Sequence, residues 1–218
     1  MTLKVYVVGG HRWCGPSTVS MFKDAGWDVV GDEILKTDPN SVDLVVFTGG
    51  SDVSPELYGE ENIASSCDPM RDRFEVEVYS ALKPETKKAG ICRGGQFLAV
   101  MNGDKLIQHH GYQGGTNPMY GPDGFICPVN VCHHQGFVTT KENGGEVLAW
   151  IKPEKYKTGT VPSLGDGGYP SYSSFYPKTN SYCFQPHAEW GHQPSHDYFF
   201  RMLAEHLGLV NEPMKKAA

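Results

Sequence analysis

Three short apolar runs, each closed by a pair of glycines, constrain this chain more than any other feature. Lys4-Val5-Tyr6-Val7-Val8 runs into Gly9-Gly10, Asp43-Leu44-Val45-Val46-Phe47 into Gly49-Gly50, and residues 86–91 into Cys92 and then Gly94-Gly95. Apolar runs of this length without polar alternation suit strands buried on both faces, as in parallel sheets. Between the first two, residues 16–25 carry Val19, Phe22 and Ala25 on one helical face, with Gly26 as the stop and Trp27-Asp28-Val29-Val30 as a short strand beyond. After the third comes the periodic run Phe97-Leu98-Ala99-Val100-Met101. Strand–helix–strand spacing of this kind predicts an α/β fold, an open and mostly parallel sheet with helices on both faces. Lys87-Lys88 is polar for a central strand and blurs the start of the third run.

The rest of the chain is less regular. Residues 49–70, rich in Gly, Ser, Pro and Asp, form a long loop beyond a strand end, where open α/β sheets bind ligands. Residues 72–82 predict a helix with Phe74, Val78 and Leu82 aligned, and residues 195–207 a closing amphipathic helix with Ser195 as its N-cap. Residues 106–108, 124–127 and 146–151 read as strands, and 111–124 and 152–181 as loops. The tyrosines from Tyr156 to Tyr182 are expected to cover a sheet edge, and residues 215–218 to fray. With 218 residues, 39% hydrophobic and 20% charged, the chain reads as one globular domain over 1–218.

Composition excludes several classes. A net charge of −6 with no basic block argues against nucleic-acid binding. No apolar run approaches the roughly 20 residues of a membrane span, and the N-terminal residues lead straight into a strand, so the expectation is a cytoplasmic protein away from membranes. Six scattered cysteines (Cys14, Cys67, Cys92, Cys127, Cys132 and Cys183) suggest no disulfide framework. Cys127, Cys132, His133 and His134 match no standard zinc spacing, so no metal is expected. The segment after Gly9-Gly10 lacks dinucleotide-binding spacing, and no cofactor is expected.

Chemistry concentrates at two places. Ala89-Gly90-Ile91-Cys92-Arg93-Gly94-Gly95-Gln96 orders strand, sharp turn and helix, with a cysteine at the turn. Glycines there allow close backbone approach, and the helix N-terminus favours thiolate. About a hundred residues later, Ser181-Tyr182-Cys183-Phe184-Gln185-Pro186-His187-Ala188-Glu189-Trp190 is a strand ending in His-x-Glu, a base and an orienting carboxylate.

Together these segments resemble the class I glutamine amidotransferases, and within them the γ-glutamyl-hydrolase branch that includes γ-glutamyl-GABA hydrolases. Three further stretches carry the likeness: Thr48-Gly49-Gly50-Ser51-Asp52-Val53-Ser54-Pro55-Glu56-Leu57-Tyr58-Gly59-Glu60, Asp68-Pro69-Met70-Arg71-Asp72-Arg73-Phe74-Glu75 and Val129-Asn130-Val131-Cys132-His133-His134-Gln135-Gly136. The resemblance implies a flavodoxin-like fold with a small antiparallel arm and a catalytic triad of Cys92, His187 and Glu189. It implies an oxyanion hole from backbone N–H groups of Arg93 and of Gly49 or Gly50. It places Gln96, His134 and Gln135 at the substrate, although His133 and His134, adjacent on an extended segment, cannot both face it. The expected reaction is hydrolysis of a γ-glutamyl amide, small-molecule in character, through a thioester on Cys92. The alternatives are a glutaminase component delivering ammonia to a separate synthetase partner, and a catalytically idle binding module. A homodimer is compatible with any of them. Asp68, Arg71 and Asp72 match the family signature without an assigned chemical step, and the departure at Ala188, where many relatives have proline, leaves the His-x-Glu spacing intact.

Overall fold

The computed structural model describes residues 2–151 and 170–210. In chain order its elements begin β1 (Lys4–Val7), α1 (Gly15–Asp24), β2 (Asp28–Val30), β3 (Leu44–Phe47), α2 (Pro69–Ala81), β4 (Lys88–Ile91) and α3 (Arg93–Met101). They continue with β5 (Leu106–Ile107), β6 (Gln113–Tyr120), β7 (Ile126–His133), β8 (Gly136–Phe137), β9 (Glu146–Trp150), β10 (Ser171–Tyr176), β11 (Ser181–Phe184) and α4 (Gln193–Leu207). One sheet runs in the order β2-β1-β3-β4-β11-β10-β9-β6-β7, with β5 and β8 attached beside β10. The first five strands of that order are parallel, and pairing turns antiparallel at β10. The antiparallel strands therefore continue the main sheet, and the expected small arm is its far half.

Because strand side chains alternate, each parallel strand feeds two cores. Val5, Val7, Leu44 and Val46 face Phe22 of α1 and Phe199 of α4; Tyr6, Val8, Val45 and Phe47 face Val78 of α2 and Phe97 of α3. Helices thus cover both faces, as the spacing predicts. Complete burial of side chains of this size is worth about 1.5–3 kcal/mol each. Lys88 takes its place in β4 by donating from Nζ to the carbonyls of Thr86 (2.6 Å), Thr179 (2.9 Å) and Lys83 (3.0 Å), although burial pulls its pKa down to about 8. No helix among the described residues is long and apolar enough to cross a membrane.

Several local expectations are corrected. Helix α2 starts at Pro69, not residue 72, because Asp68 caps it, accepting from the N–H groups of Met70 and Arg71. Helix α4 starts at Gln193, and Ser195 lies inside it with its Oγ accepting from Asn130 N–H (2.9 Å), so it is not the N-cap. Within 111–124, residues 113–120 form β6, which pairs with β7 over eight residues despite its glycines and proline. Tertiary pairing overrides weak strand propensity there; Pro118 faces Pro128, so the missing donors share one rung. The strand expected over 124–127 is the longer β7, and 171–176, inside the expected loop, is β10. Tyr172, Tyr176 and Tyr182 are core residues rather than edge cover. Residues 152–169, with Tyr156 and Tyr169, and the tail at 215–218 lie outside the described residues.

The tightest packing is at the turn between β4 and α3. A methyl group on Gly94 would overlap the carbonyl of Phe47 on β3, and one on Gly90 the backbone of Gly94. Gly94→Ala should therefore force β3 and α3 apart and destabilise the protein by about 3 kcal/mol, the upper range for overpacking. A urea-melt midpoint within error of the native one would show that the approach is not that close.

Candidate active site

Cys92 stands on the β4–α3 turn at φ 51°, ψ −111°, a backbone region that costs a non-glycine residue about 1–3 kcal/mol. The turn is held by Cys92 N–H donating to Phe184 O of β11 (2.7 Å) and by the glycine contacts above. This is how a reactive side chain is lifted above the carboxyl edge of a sheet.

His187 lies just past the carboxyl end of β11, its N–H donating to Asn130 O of β7 (2.8 Å). Its Nδ1 meets Glu189 Oε1 at 2.7 Å. That leaves Nε2 free for Cys92, whose side chain lies close enough to act electrostatically on the imidazole. Trp190 stacks on the ring, centroids 3.6 Å apart and planes 7° from parallel. Cys92, His187 and Glu189 are 4%, 2% and 8% exposed, so their charges interact with little solvent screening. Burial alone would push His187 down. The Cys92 charge and hydrogen bond, followed by Glu189, outweigh it and raise the pKa to about 11. The imidazole therefore holds its proton well above the ordinary histidine range.

Opposite the sulfur lies the loop after β3. Gly49 passes the imidazole so closely that an added Cβ would stand 3.2 Å from His187 Cε1. At Gly50, φ is +146° and the space of a Cβ is taken by the Arg71 guanidinium. Arg71, fully buried, donates to Gly49 O (2.9 Å), Thr48 O (2.7 Å) and Glu75 Oε1 (2.8 Å), with its guanidinium over Trp13. Glu75 and Asp72 in turn accept from the Arg93 guanidinium, and Asp72 accepts from Ser54. Of the signature left unassigned by the sequence, Asp68 caps α2, while Arg71 and Asp72 join Glu75 and Arg93 in a buried network of two arginines and two carboxylates. It ties the Gly49-Gly50 loop to Arg93, the residue after Cys92.

The three residues expected at the substrate are placed differently. Gln96 is buried, its Nε2 donating to Gln135 O (2.8 Å) and Gln185 Oε1 (3.1 Å). Gln135 is buried too, bridging Val53 N–H (3.0 Å) and Val53 O (3.2 Å). Only His134 is partly exposed; its Nε2 contacts Asp52 Oδ2 at 3.0 Å and its Nδ1 contacts His109 Nδ1 at 3.1 Å. His133 points the other way, to Tyr172 Oη (3.1 Å). Sequence reasoning missed Gln185, whose Nε2 lies 3.7 Å from Cys92 Sγ, and Trp190. Both sit beside the His-x-Glu motif, and proximity to it was the only signal available.

The profile of the family described as Peptidase C26 matches residues 30–149, more than half of the chain. The chain belongs to the peptidase C26 family. The match takes in Gly49, Gly50, Cys92 and Gln96 and stops before His187. Among relatives of this C26 chain, the glutamine amidotransferase-like protein YvdE of Lactococcus lactis is 42% identical over 100 residues. Those residues are 42% of this chain and 42% of the relative, so less than half of the relative's length is covered. Solved structures extend the likeness to the fold. PurLQS from Thermotoga maritima superposes with a TM-score of 0.60 at 16% identity, covering 95% of this chain and 92% of that one. A glutamine amidotransferase from the same organism gives 0.56 at 14%, covering 95% and 85%.

The raised pKa of His187 is testable by titration. His187 should stay protonated at about pH 9, far above the ordinary imidazole range, and lose its proton only near pH 11. In Cys92→Ala the strongest opposing charge is gone and burial regains weight, so His187 should deprotonate at much lower pH. Imidazole NMR resonances would read both; the same titration in both proteins would mean that the sulfur is uncharged or remote.

Proposed function

We propose that the protein is a cysteine-dependent hydrolase of γ-glutamyl amide bonds, acting as a single class I amidotransferase-like domain on a small-molecule substrate. The reading rests on one observation, an imidazole held by a carboxylate on Nδ1 and electrostatically coupled to Cys92 on the adjoining elbow. Family membership supports acyl-transfer chemistry of this kind. Cys92 thiolate attacks the γ-carbonyl carbon, and the C–O π bond becomes an oxyanion that the N–H groups of Arg93 and of Gly49 or Gly50 receive. One such donor is worth about 3 kcal/mol in the transition state. The tetrahedral carbon collapses as the C–N bond breaks, with His187 Nε2–H delivering its proton to the departing nitrogen. Water, deprotonated by the same Nε2, then attacks the thioester, and glutamate leaves as the thiolate re-forms. Glu189 holds the Nδ1–H tautomer and balances the imidazolium throughout.

The names of the relatives favour a second reading, a glutaminase that delivers ammonia to a synthetase partner. The chemistry at Cys92 would be the same. A panel of γ-glutamyl amines and peptides beside free glutamine, assayed for glutamate release by the chain alone, separates the two. Turnover of the amines without a partner is expected; release from free glutamine only, rising when a synthetase is added, would favour the second.

The same assay tests the roles. Cys92→Ala and His187→Ala should each lose about ten-thousand-fold or more. Glu189→Gln should lose about tenfold to a hundredfold less, and the double variant His187→Ala/Glu189→Gln should be barely worse than His187→Ala. Multiplying losses in the double variant would assign Glu189 a separate task.

A further inference from the structure

The polarity of one buried amide can be read from a backbone carbonyl three groups away. The carbonyl of Gln135 can only accept, so the Gln96 atom 2.8 Å from it is Nε2. That NH₂ group also lies 3.1 Å from Gln185, so the near atom of Gln185 must be its acceptor, Oε1. The Gln185 carboxamide is thereby turned with Nε2 toward Cys92 Sγ, at 3.7 Å. Each link is rigid. Gln96, Gln135 and Gln185 are buried, the Gln135 carbonyl also receives His133 Nδ1 (3.0 Å), and Gln185 N–H donates to Tyr172 O (2.9 Å). A flip of Gln185 would set two carboxamide NH₂ groups against each other and an oxygen against the sulfur.

We infer that Gln185 is a further catalytic residue, an N–H donor to the Cys92 thiolate, and that Gln96 is a positioning residue that fixes its orientation. The inference rests on the thiol-hydrolase reading above and deepens it. A thiolate beside His187 has one donor from the imidazole; Gln185, the residue after β11, supplies a second. It stabilises the resting thiolate and, when the thioester breaks, the sulfur that again takes up the electron pair. In the thioester the sulfur is uncharged, so the donor matters most in the two states that bear charge. This account also gives Gln96 a task without exposure to substrate.

Other groups around the sulfur bear on the measurement. They are His187 with Glu189 behind it, the Cys132 carbonyl 3.9 Å from Sγ, Cys14 at the start of α1, which feels the charges of Glu189, His187 and Cys92, and His133 of β7, which feels the charge of His187. Arg93, next in sequence, is committed to Asp72 and Glu75.

The test is the pH dependence of Cys92 alkylation by iodoacetamide, an uncharged probe, with the modified residue located by peptide mass. Gln185→Met keeps length and bulk without a donor. Its alkylation midpoint should rise by about one pH unit, a tenfold loss of thiolate at fixed pH. Gln96→Met should shift it in the same direction by less, and the double variant should match Gln185→Met alone. An unchanged midpoint in folded Gln185→Met would overturn the inference while leaving the thiol-hydrolase reading intact. Fast labelling at Cys14 or Cys132 instead of Cys92 would overturn that reading itself. If Gln185→Met does not fold, the native protein decides. One glutamine carboxamide proton resonance should move with the midpoint of thiolate formation and disappear from that titration after Cys92 is alkylated. A full set of glutamine amide resonances indifferent to that midpoint would contradict the proposal.

Discussion

The buried pairing of Arg71, Glu75, Arg93 and Asp72 holds together the two backbone segments on which everything else depends. Removing four charges from water is costly, and an ion pair in a dry interior repays that cost only when its remaining donors and acceptors are also met. Here those of Arg71 are met by the backbone to be positioned, with two of its nitrogens on the carbonyls of Thr48 and Gly49, while Arg93 Nε is buried without a partner. A planar guanidinium can hold two successive carbonyls at once, which a lysine ammonium cannot do with the same geometry. The carbonyls point into the cluster, and the opposite side of the same loop is turned to the imidazole, where Gly49 lies against His187. Since Arg93 is both a member of the cluster and the residue after Cys92, one network sets the distance between loop and nucleophile.

Strain and charge act together at Cys92. The positive φ of Cys92 is stabilised by close backbone packing of β3, β4 and β11, where glycine is required because no side chain fits. The elbow holds the sulfur in a buried position beside His187, and the interactions of the imidazole with Cys92 and Glu189 outweigh burial and retain its proton at alkaline pH. Stability follows the same sign. The contribution of a raised histidine pKa is fully present below its unfolded value of about 6.5 and fades as pH climbs toward 11. The site and the fold therefore share one pH dependence.

How much of this was legible in the sequence differs from element to element. The parallel half of the sheet was legible because runs such as Leu44-Val45-Val46-Phe47 carry their burial in composition, and the elbow because Gly90, Cys92, Gly94 and Gly95 have few other uses in that order. The antiparallel half was not. Strand β6 contains Gly114, Gly115 and Pro118, and only its pairing with β7 makes it a strand. The start of α2 was legible and overlooked, since Asp68-Pro69 is an N-cap followed by proline. Lys88 looked wrong for a central strand because the carbonyls that satisfy it come from residues near and far, Thr86 and Thr179 alike. Polar contacts of that kind leave no periodic trace, and the amides of Gln96, Gln135 and Gln185 are hidden for the same reason.

Covalent transfer of the γ-glutamyl group to Cys92 is the claim on which the functional account turns. Rapid acid quench during turnover, followed by peptide mapping, measures it directly. The account predicts a γ-glutamyl adduct on the peptide bearing Cys92, formed before steady state, labile to hydroxylamine as a thioester should be, and missing from Cys92→Ala. Glutamate release at full rate with no adduct on any cysteine, or an adduct on another residue, would contradict it.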